Sequence, residues 1–422
     1  MITMTHKNRK LCVYLALILT VAFILSAASC SSSTSNSNGN TNLKGDSLNS
    51  LEESSNNSST ETDDNTPSKP EEFYATEDGT KRVLSTSNIT ELSSNKNLII
   101  FLVDRLDSRY VDNALSNTPE VFDSLTGFTY FDDHISLYGR TFPSVTYMLT
   151  GVENDFSQKR EDYFRSAYQN SEFLNVLKQN NYKIKIYTDS YYAYTDASIM
   201  GRYASNLSEN ETDKFTTDQK FVYDLVNNSE FYLDNENNNF SFIHIQGCHM
   251  PNVYDESFND MGEDHPDRWN ELVAINTSMQ IINVYIEELK ARGLYNDSTI
   301  IIVGDHAAAI SDKKELSGVR RTALLVKPAG QSRGNIKINS SYVSHENLWA
   351  TALKSEGLAY EYDFANSVFE ANTNRQTIRK YVFQRMDSGF FENITYSICG
   401  SSKDFDNWTI VDRENIEGSV HK

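Results

Sequence analysis

Positive charge is in short supply in this sequence. Its 422 residues contain 38 lysines and arginines against 58 aspartates and glutamates, which gives a formal net charge of -20 at pH 7. A protein that binds nucleic acid needs a basic face, so this imbalance argues against a nucleic-acid partner. The acidity instead favours a soluble domain in an extracellular setting.

Cysteine is scarce as well. Only four are present, and two of them, Cys12 and Cys30, lie within the first 30 residues. The other two, Cys248 and Cys399, do not make a disulfide framework of the kind found in small secreted domains. Export would permit a disulfide between them, but we expect two buried thiols.

Apolar side chains are almost absent from residues 31–70, which are mainly Ser, Asn, Thr, Asp and Glu. Such a segment cannot bury enough surface to offset the entropy that is lost on ordering. The polar character continues to about residue 95, so we predict a disordered tether over 31–95. The rest of the chain is long enough for one large domain over 96–357 and a small C-terminal α+β subdomain over 358–422.

One long apolar run does occur, at residues 11–28, after a short basic stretch and before Cys30. This order is typical of a secretory signal, and Ala27-Ala28-Ser29-Cys30 resembles a bacterial lipoprotein cleavage site, although Ala27 stands where leucine is usual. The resemblance implies that 1–30 is a lipoprotein signal peptide and that Cys30 is lipidated. The chain would then be anchored at the extracellular face of a bacterial cell membrane. A plain signal anchor is the alternative, since a bilayer span takes ~20 apolar residues.

Strand and helix patterns alternate from residue 97 onward. Continuous apolar runs, which suit strands buried on both faces, predict strands over 98–103, 184–187, 240–245, 300–303 and 323–326. Helical patterns predict helices over 118–125, 172–178, 267–292 and 345–354. The alternation predicts an α/β fold, a doubly wound and mostly parallel sheet with helices on both faces. Beyond residue 357, short strands over 377–385 and 396–399 predict a small antiparallel appendage.

Thr141 stands where a further helix is predicted to begin. Threonine is a good N-cap, Pro143 suits the first helical turn, and Gly151 is a fitting end. The positive end of a helix favours bound anions and would favour the alkoxide form of a nucleophilic threonine. A capping threonine without a chemical role is the alternative.

Polar side chains cluster where the predicted strands stop. Asp104 directly follows the first strand, Asp305 and His306 follow the fourth, and His249 follows the third. In a doubly wound sheet the site lies at the carboxyl ends of the strands. Two carboxylates and an imidazole there predict a divalent-metal site, which Thr141 would complete. Each residue taken singly has an ordinary alternative as a cap or turn residue.

These segments resemble the alkaline phosphatase and sulfatase superfamily, most closely the branch that holds lipoteichoic acid synthases and related membrane phosphoglycerol transferases. The resemblance covers about 97–357, and it rests on 97–106, 118–125, Thr141-Phe-Pro-Ser-Val145, Gly247-Cys-His-Met-Pro251, the segment from Gly293 to Gly304-Asp-His306, and 343–353. It implies an alkaline phosphatase-like fold in which Thr141 is the nucleophile and His249 contacts substrate. It also implies that Asp104, Thr141, Asp305 and His306 bind a metal. Glu346 stands where the family usually has an aspartate.

Departures from the family pattern argue against two kinds of reaction known in the superfamily. Sulfatases convert a Cys or Ser to formylglycine, and Thr141 cannot be converted. Two-zinc phosphodiesterases carry an aspartate where this chain has Ile245. We therefore expect the site to bind one divalent ion. We expect this ion to be manganese, with magnesium, calcium or zinc as alternatives. Lipoteichoic acid synthases carry several membrane spans and this chain at most one, so it would be a tethered catalytic domain.

The function that this resemblance implies is that of a metal-dependent extracellular phosphotransferase or phosphodiesterase. Its anionic phosphodiester substrate would be a glycerol-phosphate polymer or a lipid head group, with water or an alcohol as acceptor. One alternative is a sulfuric or phosphoric ester hydrolase, and a second is a non-catalytic surface lipoprotein that binds without reacting. We expect a monomer that meets the membrane through its lipid anchor.

Overall fold

The computed structural model describes residues 80–250, 253–262, 270–308, 316–373, 377–387 and 390–416. The predicted signal peptide, Cys30 and most of the predicted tether lie outside these residues. Within them, every helix is too short or too polar to cross a membrane.

The strands predicted from apolar runs are all present, and further strands accompany them. In the described residues the strands are β1 (Val83–Leu84), β2 (Glu91–Ser93), β3 (Asn97–Val103), β4 (Thr129–Phe131), β5 (His134–Ile135), β6 (Tyr182–Tyr187), β7 (Leu207–Ser208), β8 (Tyr232–Asp234), β9 (Asn238–Ile245), β10 (Ser298–Val303), β11 (Leu324–Lys327), β12 (Lys337–Asn339), β13 (Val343–Ser344), β14 (Ile378–Asp387), β15 (Phe390–Cys399) and β16 (Trp408–Ile416).

Seven of these strands form the central sheet, in the order β12-β4-β11-β10-β3-β9-β6. Four of its six pairings are parallel, and only β11 runs antiparallel to both of its neighbours. This confirms the mostly parallel sheet. Because β3 lies between β10 and β9 and is parallel to both, the residues that follow these three strands meet at one edge.

Helices cover both faces of the sheet, as predicted. They are α1 (Ser108–Asn117), α2 (Thr141–Thr150), α3 (Arg160–Gln169), α4 (Glu172–Gln179), α5 (Gln219–Asn228), α6 (Glu271–Ala291) and α7 (Leu348–Ser355). Side chains alternate along a strand, so β3 supplies both cores. Its even-numbered residues from Leu98 to Leu102 pack with α2, α3, α4 and α7. Its odd-numbered residues from Ile99 to Val103 pack with α1, α5 and α6.

Two helix predictions need correction. The helix expected over 118–125 is only a 3-10 helix at Pro119–Phe122, because the Thr118 amide still bonds to the Ala114 carbonyl at the end of α1. Helix α1 itself was not predicted, since its buried positions are few. The helix predicted over 267–292 begins at Glu271 among the described residues, where the Asn270 side chain caps it, and 267–269 lie outside them.

The disordered tether was predicted to extend to residue 95, and this boundary is wrong, because residues 80–95 contain strands β1 and β2. Strand β1 pairs with β7, and β2 pairs with β8. The sequence there is polar, but Glu91 is buried against two lysines of β6. Lys185 Nζ donates to the Glu91 carbonyl at 2.7 Å, and Lys183 Nζ lies 2.8 Å from its carboxylate. Paired charges thus hold a segment that has few apolar side chains.

The predicted antiparallel appendage is a three-stranded sheet, β14-β15-β16, whose last strand was not predicted. No α-helix lies among the described residues after 357, so the expected α+β character is not seen there. A buried ion pair links this sheet to the rest of the domain: Nη1 of Arg379 on β14 lies 3.0 Å from the carboxylate of Asp133. Cys248 is buried as predicted, whereas Cys399 on β15 is exposed, and no disulfide joins them.

Candidate active site at the carboxyl edge of the sheet

Three of the predicted metal ligands converge where two parallel strands end. Asp104 follows β3, and Asp305 and His306 follow β10 after Gly304. One ligand atom from each residue lies within 4.8 Å of the other two. His306 Nε2 is 3.7 Å from Asp104 Oδ1 and 3.5 Å from Asp305 Oδ2. All three side chains are buried, so this is a compact and largely dry cluster.

The unpaired atoms of this cluster fit a divalent cation. Asp104 Oδ1 and Asp305 Oδ2 are buried and have no hydrogen-bond partner among the described residues. They are also the two oxygens that face His306 Nε2. A buried carboxylate oxygen without a partner is costly, and a cation bound between the two oxygens would remove that cost. Two carboxylates and one imidazole form a donor set that manganese, magnesium and zinc all accept.

The electrostatics of the two carboxylates lead to the same conclusion. Burial and the adjacent charge of Asp104 raise the pKa of Asp305 above its usual value. Burial would also raise the pKa of Asp104, but the imidazoles of His249, His244 and His306 outweigh it and lower that pKa to about 2. The histidines therefore stabilise the ionised form of Asp104, and the negative charge of Asp104 in turn disfavours ionisation of Asp305. A divalent cation would allow both to be ionised.

Thr141 lies at this cluster, but it is not the N-cap that the sequence predicted. Arg140 has extended dihedral angles, φ -144° and ψ 153°, and is the N-cap, which makes Thr141 the first residue of α2. The Thr141 hydroxyl is turned toward His306 instead of toward the helix amides, with Oγ1 3.3 Å from Nε2. Gly151 ends the helix with φ 81°, as predicted.

His249 is carried by a tight turn that lies directly on Asp104. The Cys248 amide donates to the Asp104 carbonyl at 2.8 Å, and the Gly247 amide donates to Oε1 of the buried Gln219 at 2.9 Å. Gly247 has φ +60°, and a Cβ there would lie 2.9 Å from the Asp104 backbone, so only glycine fits. The turn leaves His249 half-buried at the mouth of the site, with Pro251 of the same motif outside the described residues.

Arg105 is a cation that sequence reasoning did not single out. It follows Asp104 with φ +59°, in the left-handed region, and its amide donates to Asp305 Oδ1 at 2.8 Å. Its side chain lies near Tyr110 and Cys248 and opposes the rise in their pKa values that burial causes. Its Nε is buried without a hydrogen-bond partner in the described part of the chain. A backbone in the left-handed region thus ties the Arg105 amide to Asp305, while the side chain lies on the side of Tyr110 and Cys248.

Two more residues of the site were missed, His244 and Thr188. His244 lies inside β9, and its Nε2 is 3.3 Å from Asp104 Oδ2. Its Nδ1 is 2.8 Å from Oγ1 of Thr188, which directly follows β6. The signal for His244 was present, since it is the one imidazole in a buried run, 240–245, that is otherwise apolar except for Ser241. Nothing in the sequence indicates which neighbouring strand it faces.

Glu346 is not part of the cluster formed by Asp104, Asp305 and His306. Its carboxylate accepts a hydrogen bond from Ser344 Oγ at 2.9 Å, and burial raises its pKa. The neighbouring His345 contacts the backbone just before Asp305 instead. Its Nε2 is 2.9 Å from the Gly304 carbonyl, and burial lowers its pKa to about 4, so the ring is neutral at physiological pH.

A buried Asp-Asp-His cluster lies at the carboxyl edge of a mostly parallel sheet with a helix-borne hydroxyl against it, which is the arrangement that the resemblance to the alkaline phosphatase-like class predicts. The family model described as Sulfatase matches residues 96–357, which is more than half of the chain. The protein therefore belongs to the sulfatase family and has the hydrolase and transferase fold of that superfamily.

Several solved structures resemble this one. A protein of the alkaline phosphatase superfamily from Vibrio parahaemolyticus is 13% identical, with 79% of this chain and 85% of that chain covered and a TM-score of 0.48. The lipoteichoic acid synthase LtaP from Listeria monocytogenes is 13% identical, with 80% and 91% covered and a TM-score of 0.48. The phosphonate monoester hydrolase SpPMH from Silicibacter pomeroyi is 10% identical, with 75% and 88% covered and a TM-score of 0.46. No curated protein matches the chain in sequence.

Proposed function

We propose that the protein is a phosphotransferase or phosphodiesterase that uses Thr141 as its nucleophile on glycerol-phosphate polymers or lipid head groups. The observation that carries the proposal is the 3.3 Å contact between Thr141 Oγ1 and His306 Nε2. It sets a hydroxyl against the cluster of Asp104, Asp305 and His306 in a member of the sulfatase family. A threonine cannot become formylglycine, so the hydroxyl itself would attack, and phosphorus is the centre that suits it.

The metal-binding residues would be Asp104, Asp305 and His306, with Thr141 completing the set. A divalent ion held there, which we expect to be manganese, would supply the positive charge that stabilises an alkoxide and a substrate oxygen. The positive end of α2 would add to this effect, because Thr141 is the first residue of that helix.

The proposed reaction has two displacements at phosphorus. Thr141 loses its hydroxyl proton to water, and its Oγ1 bonds to phosphorus while the bond from phosphorus to the leaving alcohol breaks. His249 gives the departing oxygen a proton. In the second displacement His249 takes a proton from water or an alcohol, whose oxygen bonds to phosphorus. The bond to Thr141 Oγ1 then breaks, and Oγ1 regains a proton from water.

Anion binding at this site has to rely on local cations, because the chain as a whole carries a net charge of -20. Arg105 is our candidate for this role, since its Nε is buried without a hydrogen-bond partner among the described residues and its backbone amide donates to Asp305 Oδ1. His249 at the mouth supplies a second donor. Together they favour a substrate with an exposed negative charge, as a phosphodiester has.

The family match by itself also suits a hydrolase of sulfate esters, so substrate class is what the test must decide. The full-length protein, solubilised in detergent and loaded with Mn²⁺, would be assayed on a glycerophosphodiester and on nitrophenyl sulfate. We expect turnover of the diester by the wild type, none by Thr141→Ala, and a phosphorylated Thr141 peptide in mass spectra. Sulfate turnover without diester turnover would replace this proposal with the sulfatase alternative.

We further propose that the enzyme works as a monomer at the extracellular face of a bacterial membrane, anchored through Cys30. The support is the basic stretch, the apolar run over 11–28 and the cysteine that follows. Cells fed a labelled fatty acid should label the wild type but not Cys30→Ala, and the variant should leave the membrane fraction or keep its signal. Normal labelling of Cys30→Ala would refute the anchor.

A further inference from the structure

A line of three buried side chains crosses the ends of three adjacent strands. The strands are β3, β9 and β6, which are neighbours in that order and mutually parallel. They contribute Asp104, His244 and Thr188, respectively. Asp104 Oδ2 lies 3.3 Å from His244 Nε2, and His244 Nδ1 lies 2.8 Å from Thr188 Oγ1. His244 and Thr188 are fully buried, so both contacts are shielded from water.

The donor and acceptor of each of the two hydrogen bonds follow from the chemistry of the groups. An ionised carboxylate can only accept, so His244 Nε2 must carry a proton and donate it to Asp104 Oδ2. In a neutral ring Nδ1 is then the acceptor, and the Thr188 hydroxyl donates to it. Asp104 therefore sets the tautomer of His244, Thr188 holds the ring through Nδ1, and His244 in turn fixes one oxygen of Asp104.

The other metal-binding residues are fixed differently. Asp305 is held by the backbone amide of Arg105 at 2.8 Å, and His306 is held through Nδ1 by the Ala307 carbonyl at 2.8 Å. Asp104 is the member of the three whose second oxygen faces a side chain instead of the main chain. Its orientation consequently depends on the identity of a single residue, His244.

We propose that His244 and Thr188 are positioning residues that aim Asp104 Oδ1 at the metal and so set the affinity of the site. By holding Oδ2, they leave Oδ1 as the oxygen without a protein partner among the described residues, facing His306 Nε2 at 3.7 Å. This inference rests on the metal site of the proposed function. Hydrogen bonds to metal-binding side chains orient them, and their loss typically weakens metal affinity by ~10- to 100-fold.

A purely structural role for His244 is the competing explanation, because a buried imidazole also fills space. Its ring centroid lies 5.6 Å from that of Tyr192. Removal would then lower the stability of the metal-free protein but leave its metal affinity unchanged. The two roles therefore differ in metal affinity, which can be measured without any turnover.

The chain offers a matched control at His134, a second fully buried histidine with a threonine partner. Its Nδ1 lies 2.8 Å from Thr322 Oγ1, as the Nδ1 of His244 does from Thr188. His134 lies against His345, whose Nε2 holds the Gly304 carbonyl, but it has no recorded contact with Asp104, Asp305 or His306 in the described structure. His134→Leu thus removes a buried imidazole with a threonine contact without removing a direct contact to those three residues.

The experiment measures Mn²⁺ binding to the EDTA-treated full-length protein by isothermal titration calorimetry, with melting temperatures recorded with and without the ion. We expect His244→Leu to bind Mn²⁺ ~10- to 100-fold more weakly and to show a smaller metal-induced rise in melting temperature. His244→Gln, which places an amide N–H near the position of Nε2, should recover most of the affinity. Thr188→Val should fall between them, and His134→Leu should bind like the wild type.

Wild-type affinity in His244→Leu, with a lower melting temperature, would overturn the inference and leave the metal site standing. Absence of Mn²⁺ binding by the wild type itself would overturn both. If the His244 variants do not fold, Thr188→Val decides, because it keeps the shape of the side chain. Undiminished affinity in Thr188→Val would then refute the positioning role.

Discussion

Thr141 Oγ1 and His306 Nε2 lie 3.3 Å apart although 165 positions separate them in the chain. One belongs to the first turn of α2 and the other follows β10, so the contact lies at the carboxyl edge of the sheet. Both side chains are buried. The hydroxyl does not take the capping role that its place in the sequence suggests but faces the cluster of Asp104, Asp305 and His306.

The first prediction concerns Thr141. Thr141→Ala should lose nearly all turnover but still bind metal, because Asp104, Asp305 and His306 remain. Since Arg140 is the N-cap, the loss of stability should be smaller than the ~1 kcal/mol of a lost N-cap. Thr141→Ser should keep part of the activity, because it restores an oxygen at the same position.

Diester turnover at matched folded concentration, together with thermal melting, tests this. Ser144→Ala is the control, since Ser144 lies on the same helix and donates to the Tyr138 carbonyl at 3.3 Å, away from the metal cluster. Near-normal turnover by Thr141→Ala would remove Thr141 from the mechanism.

The second prediction concerns Asp305, whose pKa is raised by burial and by the charge of Asp104. Asp305→Asn should bind Mn²⁺ far more weakly because a charged ligand is lost. In EDTA, however, the variant should melt at the same or a higher temperature than the wild type, since one of two adjacent buried negative charges is gone. Metal content by mass spectrometry and calorimetry in EDTA check the two halves. Full metal content in the variant would contradict the assignment.

Arg105 supplies the third prediction. Arg105→Gln should raise KM for the anionic substrate roughly 10-fold or more, because a hydrogen bond to a charged group contributes about 1.5–3 kcal/mol. The value of kcat should change less. Arg109→Gln is the matched control, because Arg109 is already paired with Asp107 at 2.7 Å. Steady-state kinetics of both variants provide the test, and equal KM values would exclude Arg105 from substrate binding.

The fourth prediction compares two glycines with positive φ. A Cβ at Gly247 would lie 2.5 Å from Val103 Cγ1 and 2.9 Å from the Asp104 backbone, whereas nothing lies within 4 Å of one at Gly293. Gly293→Ala should cost only the left-handed strain of about 1–2 kcal/mol. Gly247→Ala should cost more and should also weaken Mn²⁺ binding, because Asp104 must move. Chemical denaturation and metal titration measure both effects, and equal losses in the two variants would contradict this account.

The fifth prediction concerns pH and the fully buried Lys327 of β11. Its Nζ donates to the Ser298 carbonyl at 2.8 Å, and burial lowers its pKa from 10.5 to about 8. Between these values the unfolded chain binds the proton more tightly than the folded one, so this lysine makes stability rise with pH. Lys327→Met should remove that component. The free energy of unfolding of the variant, relative to wild type, should fall as pH increases from about 8 to about 10. A difference that does not change with pH would refute the prediction.

Strand positions could be read from the sequence because a strand buried on both faces needs an uninterrupted apolar run. Once parallel pairing is assumed, the first residues after each run must lie at the carboxyl edge, and the positions of Asp104 and Asp305 follow from that alone. The same reasoning failed for β1, which is only two residues long, and for β2, in which Leu92 is the one apolar residue. Lys183 and Lys185 hold Glu91 of β2, a contribution that no local pattern reveals.

By itself the sequence determined the type of fold and predicted that Asp104, Asp305, His306 and Thr141 lie together, because each is marked by its place beside an apolar run or a helix start. Only the tertiary structure decided which groups orient these residues. The contacts of Asp104 with His244, and of His244 with Thr188, join three strands that are far apart in the chain. Hydropathy periodicity places a side chain on a face of its own strand but carries no information on the atom it meets in the next one.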